Sequence, residues 1–175
     1  MNDVEKTRES FKPDCITTLF VGESRPSGGT FFYNLDNPSN LLRAMKRAFE
    51  TALGEPFDNN GDFLNHFEAC GFYLDDLALE PINHLGKTFR NEMREKGIKP
   101  LSDRIRRYDP QRIVIVMCAI KDEVRESMRM ACFTGEWDCV AFPANGNQRR
   151  FHNEMLTIIP ELPCSGARKR RKKTK

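Results

Sequence analysis

Residues 112–118 have the sequence Arg112-Ile113-Val114-Ile115-Val116-Met117-Cys118, an almost unbroken run of β-branched and apolar side chains. A strand that faces water on one side alternates apolar and polar residues, whereas a strand covered on both faces is apolar throughout. The run therefore predicts a central strand of a parallel sheet with helices on both of its faces.

Three further apolar runs have the length of strands, and they lie at residues 16–21, 71–77 and 138–142. Segments with the apolar spacing of amphipathic helices accompany them, at residues 40–53, 63–70, 85–96, 100–108, 121–132 and 149–159. Strands that alternate with helices favour parallel pairing through right-handed crossovers. We predict an α/β fold, a three-layer α/β/α sandwich around a central four-stranded, mainly parallel sheet.

The chain has 175 residues, of which 39% are hydrophobic and 30% charged. These values predict one globular domain, residues 15–160, after an N-terminal extension, residues 1–14. No run of 18 apolar residues occurs, and the N-terminus lacks the apolar segment of a signal peptide. We expect a monomer in the cytoplasm (associated with the nucleoid in a prokaryote), without membrane contact.

Six cysteines are spread along the chain without a Cys-x-x-Cys pair. Zinc and iron–sulfur sites use closer ligand spacing, and a chain of this length needs no disulfide framework. We predict buried, reduced thiols. The three histidines are scattered as well, so we predict no metal.

The segment 161–175 is predicted to be a disordered basic tail, because seven of its last eight residues are basic. Such a block binds polyanions through counterion release, and Lys169, Arg170 and Arg171 are candidate phosphate contacts. A solvated tail that only aids solubility is the alternative.

In parallel sheets, ligands bind beyond the carboxyl ends of the strands. The first strand ends there in Gly22 and Glu23, and the second in Asp75 and Asp76. A carboxylate that follows a buried strand has either a raised pKa or a charged partner, and Arg25 or a loop amide is the candidate partner of Glu23. Glu23 is therefore predicted either to act on water or to cap a loop.

Two loops complete the predicted site. Phe31, Phe32 and Tyr33 alternate faces if extended, so they cannot all belong to the core. At least one ring is predicted to form a wall on which a base stacks, although packing is the alternative for each. The segment 143–152 contains Asn145 and Asn147, followed by Arg149 and Arg150 at the start of a predicted helix. Backbone amides at a helix start and the guanidinium groups suit a phosphate. An ordinary turn is the alternative here.

Several familiar chemistries are excluded by the motifs that the chain lacks. Neither Gly-x-Gly-x-x-Gly nor a P-loop occurs, so dinucleotide and P-loop nucleotide binding are not expected. No Gly-x-Ser-x-Gly nucleophile elbow is present. We predict no cofactor.

The order of the strand ends resembles the uracil-DNA glycosylase superfamily. The resemblance covers residues 15–159 and rests on Gly-Glu-x-x-Pro at 22–26, the aromatic loop after it, Tyr-Leu-x-Asp-Leu at 73–77, the run at 112–118, and Pro-Ala-Asn-Gly-Asn at 143–147. The family flips a damaged base out of the duplex and cleaves its glycosidic bond.

The resemblance implies a role for each strand end. Glu23 would position or activate water, Phe31 or Phe32 would stack on the base, and Asp76 would recognise it. Asn145 would lie near the leaving group, and Ser24, Arg25 and the arginines after residue 148 would hold phosphates. The chain departs from the family pattern in three respects. One extra residue precedes Pro26, Asp76 replaces an asparagine that reads uracil, and Phe142 replaces a histidine that stabilises the departing base.

These departures change the expected chemistry. An ionised Asp76 accepts hydrogen bonds but donates none, so it suits an amino group such as that of cytosine, adenine or guanine rather than a uracil oxygen. The resemblance implies a DNA-binding protein that hydrolyses the N-glycosidic bond of a flipped uracil or other damaged or mismatched base. A non-catalytic nucleic-acid-binding protein of the same fold and an enzyme acting on small nucleosides or nucleotides are the alternatives.

Overall fold

The computed structural model describes residues 3–164. It contains six helices of eight or more residues and four strands. In chain order they are α1 (Asp3–Ser10), β1 (Thr18–Gly22), α2 (Asn40–Leu53), α3 (Asn60–Ala69), β2 (Phe72–Asp76), α4 (Lys87–Tyr108), β3 (Arg112–Ile115), α5 (Lys121–Met130), β4 (Glu136–Cys139) and α6 (Gln148–Ile158). Short 3₁₀ turns at Cys118–Ile120 and Ile159–Glu161 precede α5 and follow α6.

The four strands form one sheet in the order β2-β1-β3-β4, and every pair is parallel. Alternate side chains of β2 show how the helices cover it. Phe72 contacts Phe49 of α2 and Phe67 of α3, whereas the next residue, Tyr73, contacts Tyr108 of α4. Consecutive strand residues point to opposite faces, so these helices lie on opposite sides of the sheet. The predicted three-layer α/β fold is confirmed.

The predicted limits of β4 are wrong by about two residues. The strand covers residues 136–139, and its first two side chains are exposed, as at the edge of a sheet. Val140 and Ala141, which gave the segment its apolar character, are buried just beyond the strand end. An exposed edge strand gives a weak apolar signal, which explains the shift.

The prediction of two helices over residues 85–108 is also wrong, because α4 is continuous through Pro100. Gly97 does not end the helix. A side chain there would place its Cβ 2.5 Å from the Leu77 carbonyl oxygen, so the glycine permits close packing against the segment after β2. Pro100 is exposed on the helix surface, where water can solvate the carbonyl it leaves free.

Two segments outside the predicted domain pack onto it. The side chain of Arg8, on α1, is only 2% exposed. At the other end, Leu162 is buried and Cys164 forms a disulfide with Cys70. The candidate phosphate contacts Lys169, Arg170 and Arg171 lie outside the described residues.

The expectation of buried, reduced thiols is wrong for most of the cysteines. Besides the disulfide, Cys15, Cys118 and Cys132 are exposed. Cys118 follows β3 and Cys139 is the last residue of β4, and their Sγ atoms lie 3.2 Å apart. Within residues 3–164, no helix is both long and apolar enough to cross a bilayer.

Candidate functional site

A cavity of about 370 Å³ opens at the carboxyl ends of β1 and β2. This volume falls within the range of roughly 300–1,000 Å³ that is usual for small-molecule sites. Seven of the predicted site residues line the cavity together: Glu23, Ser24, Arg25, Phe31, Phe32, Asp76 and Asn145. The ends of two neighbouring strands and three loops therefore meet at one site.

The predicted phosphate contacts after residue 146 lie elsewhere. Arg149 lines a neighbouring groove, and the exposed Arg150 donates to Glu154 one turn further along α6. Asn147 precedes α6, but its side chain makes no capping hydrogen bond.

Gly22 allows the two strand ends to approach each other. It pairs with Asp76 across the β1–β2 ladder, and a Cβ at Gly22 would lie 2.6 Å from Oδ1 of Asp76. Asp76 has little room to move, because Arg8 holds its carboxylate through the other oxygen. A glycine is therefore required beside this carboxylate.

Gly22→Ala should lower the free energy of unfolding by about 1–3 kcal/mol, because the added methyl group overpacks a fixed site. Urea denaturation measures the change. Gly28→Ala is the matched control, since a Cβ at Gly28 meets nothing within 4 Å. If the two variants have equal stability, the packing constraint at Gly22 is refuted.

Glu23 is held by two arginines of α4. Its Oε1 accepts from Nε of Arg90 and Nε of Arg94, both at 2.7 Å, and its Oε2 accepts from Nη2 of Arg90 at 2.5 Å. Burial tends to raise the pKa of Glu23, but the hydrogen bonds from Arg90 and Arg94 outweigh burial and keep the pKa below its ordinary value. The predicted pairing with Arg25 or a loop amide is wrong, and Glu23 is an ionised carboxylate.

Asp76 belongs to a buried network of two acids and two arginines. Nη2 of Arg8 donates to Oδ2 of Asp76 at 2.8 Å, and Nη1 of Arg8 donates to Oδ1 of Asp75 at 3.1 Å. Arg104 completes the network by donating from Nε to the other oxygen of Asp75 at 2.7 Å. Burial raises the pKa of Asp76, and the attraction of Arg8 opposes this.

The aromatic loop forms the wall of the cavity, but its rings are packed rather than free. Phe31, Phe32 and Tyr33 are all at least 95% buried, so the expectation that they cannot all be core is wrong. The segment turns instead of running extended. The Tyr33 hydroxyl donates to the Leu74 carbonyl and accepts from the Leu74 amide, and in this way it satisfies the outer edge of β2.

The remaining predicted residues occupy the rim. Oγ of Ser24 accepts from the Ile82 amide, and Arg25 lies 3.9 Å from Glu80. Asn145 is exposed and has a φ of 52°, in the left-handed region that asparagine tolerates. Its side chain is therefore presented by a tight turn rather than by a strand.

The sequence analysis missed the four arginines that pair with the two acids: Arg8, Arg90, Arg94 and Arg104. All but Arg104 lie 67 or more residues along the chain from their partners. No local pattern links such residues, although several arginines on a helix that follows a strand ending in acids are a weak signal.

Comparison with known proteins finds no matching family model and no significantly similar curated protein. The glycosylase resemblance therefore depends on the residues quoted in the sequence analysis alone.

Proposed function

We propose that this chain binds DNA as a monomer and hydrolyses the N-glycosidic bond of an extrahelical uracil or other damaged or mismatched base. The observation that carries the proposal is that one cavity brings together an ionised carboxylate, two aromatic side chains, a second acid and an exposed amide. A protein acting on DNA in this way would work in the cytoplasm, at the nucleoid in a prokaryote.

Glu23 is suited to positioning water and stabilising positive charge. Hydrolysis of a glycosidic bond passes through a sugar with oxocarbenium character, which a nearby carboxylate stabilises. Because the pKa of Glu23 is lowered, the side chain is a weak proton acceptor but an anion at neutral pH. Its Oε2 accepts only one hydrogen bond from residues 3–164, which leaves an acceptor position for water.

In the family that the chain resembles, a histidine stabilises the departing base, and this chain has Phe142 at that position. Arg90 is suited to take over the role of the histidine. It lines the cavity, and its side chain is 29% exposed. It binds Glu23 through Nε and Nη2, and within residues 3–164 its Nη1 has no hydrogen-bond partner. A preorganised cationic donor of this kind stabilises negative charge that develops on a leaving group.

Binding without turnover is the second candidate function. Both acids of the cavity are ion-paired, and the pair of arginines around Glu23 leaves a net positive charge there. Such a site could retain a flipped base and its phosphate without hydrolysing the bond.

The test is incubation with duplexes that contain uracil, hypoxanthine, xanthine or a mismatch, followed by alkali to cut abasic sites. Ala144→Trp should decrease base release by about one to two orders of magnitude, because a ring inserted from the rim competes with the base for the cavity. Ala144→Ser is the matched control and should retain activity. Circular dichroism verifies that both variants are folded.

Strand breaks that persist in Ala144→Trp would come from a contaminating enzyme and would contradict the proposal. If no duplex is cut but each binds more tightly to the wild type than to Ala144→Trp, binding without turnover replaces it. If free nucleosides raise the melting temperature and DNA does not bind, the chain acts on small molecules instead.

A further inference from the structure

A large groove lies between α2 and α6, next to the base cavity. Its volume is about 1,010 Å³, and it is lined by residues of both helices together with Asn60 and Pro143. Asn40 lines both the groove and the cavity, and Pro143 lies between Phe142 and Ala144, which line the cavity. The two spaces are therefore adjacent.

The groove is strongly basic. Arg43, Lys46, Arg47 and Arg149 line it, and Glu50 is its only acid, which gives a formal charge of +3 with His152 neutral. Glu50 is already neutralised, because Lys46 donates to it at 2.5 Å and the Phe57 amide binds the same oxygen. The three arginines therefore determine the electrostatic character of the groove.

The pairing of arginines distinguishes this groove from the rest of the surface. Among residues 3–164, five arginines have no carboxylate within 4 Å: Arg43, Arg47, Arg107, Arg125 and Arg149. Arg107 lies over the ring of Tyr108 and Arg125 over that of Trp137. The other three, which have neither kind of partner, are all exposed and all line this groove.

We infer that the groove binds the sugar–phosphate backbone of a nucleic-acid strand. This inference rests on the proposed function, and it assigns the path by which the strand leaves the flipped nucleotide in the cavity. Guanidinium groups without a carboxylate partner along an open channel suit a polyanion with regularly spaced phosphates, since each bidentate contact releases a counterion. Asn40 and the segment 142–145 mark the point where the backbone passes from groove to cavity.

The test is the affinity of the full chain for a fluorescein-labelled single-stranded oligodeoxythymidylate, measured by fluorescence anisotropy over a range of salt concentrations. Arg43→Gln/Arg47→Gln should weaken binding on the order of tenfold and flatten the plot of log K against log salt by about 0.7 for each phosphate that is no longer neutralised. Arg107→Gln/Arg125→Gln removes two exposed arginines elsewhere that also have no carboxylate partner, and it should change affinity less than twofold.

Equal decreases in affinity in both double variants, or none in the first, would overturn the inference. So would polyglutamate that binds as tightly and with the same dependence on Arg43 and Arg47, because the partner would then be an acidic peptide. The readout needs neither a modified base nor turnover. If binding depends on the arginines but no base is released, the glycosylase proposal is refuted and the inference that the groove binds nucleic acid stands. If base is released but Arg43→Gln/Arg47→Gln has unchanged affinity, only the inference about the groove is refuted.

Discussion

Replacing Arg8 by alanine should lower the free energy of unfolding by about 3–5 kcal/mol, the usual cost of removing one partner from a buried ion pair. The network of Arg8, Arg104, Asp75 and Asp76 has no net charge, and all four side chains are at least 90% buried. Without Arg8 it carries an uncompensated negative charge. Urea denaturation of wild type and variant measures the decrease in stability.

Two controls separate this effect from the loss of packing on α1. Lys6→Ala alters an exposed residue of the same helix and should change stability by less than about 0.5 kcal/mol. Arg8→Ala/Asp76→Asn removes the charge that Arg8 compensated and should recover part of the stability. If the double variant is no more stable than Arg8→Ala, the charge pairing is not the cause.

The pH dependence of the Arg8→Ala effect has a definite sign. The pKa of Asp76 is raised in the folded protein, so its contribution to stability is greatest below the unfolded-state pKa and decreases as pH rises through the folded-state value. Removing Arg8 raises the folded-state pKa further. The difference in stability between wild type and variant should therefore shrink as pH falls. A constant difference would show that Asp76 remains charged throughout.

The sequence predicted the parts of the fold that have a strong local signal. The run at 112–118 contains β3, although the strand ends at Ile115, and Leu19, Phe20 and Val21 of the first run are fully buried in β1. Prediction failed where context overrides the local signal. Pro100 is tolerated within α4 because it faces water, and α1 has no apolar stripe because its main buried residue is an arginine.

The candidate site was predicted in location but not in electrostatics. Because the carboxyl ends of parallel strands converge, residues 22–23 and 76 were expected at one edge, and the cavity lies there. The charge state of each acid depends on an arginine far along the chain, and pairings over such distances have no local pattern. The glycosylase resemblance likewise carried no information about Arg8 or Arg90.

The carboxylates of the two acids of the cavity are held by arginines of two different helices. Asp76 depends on α1, which precedes the sheet, and Glu23 depends on α4, which crosses from β2 to β3. Arg8 also lies 5.2 Å from the centre of the Phe31 ring, so α1 supports one wall of the cavity as well as its acid. The geometry of the site is thus coupled to the N-terminal helix.

Glu23→Gln should decrease base release by about two to three orders of magnitude, the usual cost of removing one preorganised charge or donor that acts on a transition state. The amide cannot stabilise a cationic sugar, and its NH₂ group opposes the guanidinium groups of Arg90 and Arg94. Single-turnover kinetics on the best duplex measures the chemical step, and oligonucleotide affinity, measured separately, should remain within a few-fold.

A decrease in stability is expected in the same variant and has to be distinguished from the catalytic effect. Hydrogen bonds to charged groups contribute about 1.5–3 kcal/mol, so Glu23→Gln should unfold at a lower urea concentration. Arg94→Gln removes a hydrogen bond to Glu23 without altering a residue that lines the cavity, and it serves as the matched control. It should be destabilised by a similar amount but retain most of the rate.

The pH profile provides a further readout that a structural role would not produce. Because the folded-state pKa of Glu23 lies below its ordinary value of 4.5, the carboxylate stays charged as pH falls through that value. Its pairing stabilises the fold above the unfolded-state pKa, and this stabilisation is lost as pH falls through the folded-state pKa. If base release by the wild type needs ionised Glu23, protonation of Glu23 should not decrease its rate at any pH down to about 4.5. A wild-type rate that falls near neutral pH, or a Glu23→Gln rate equal to that of the wild type, would assign the chemistry to another group.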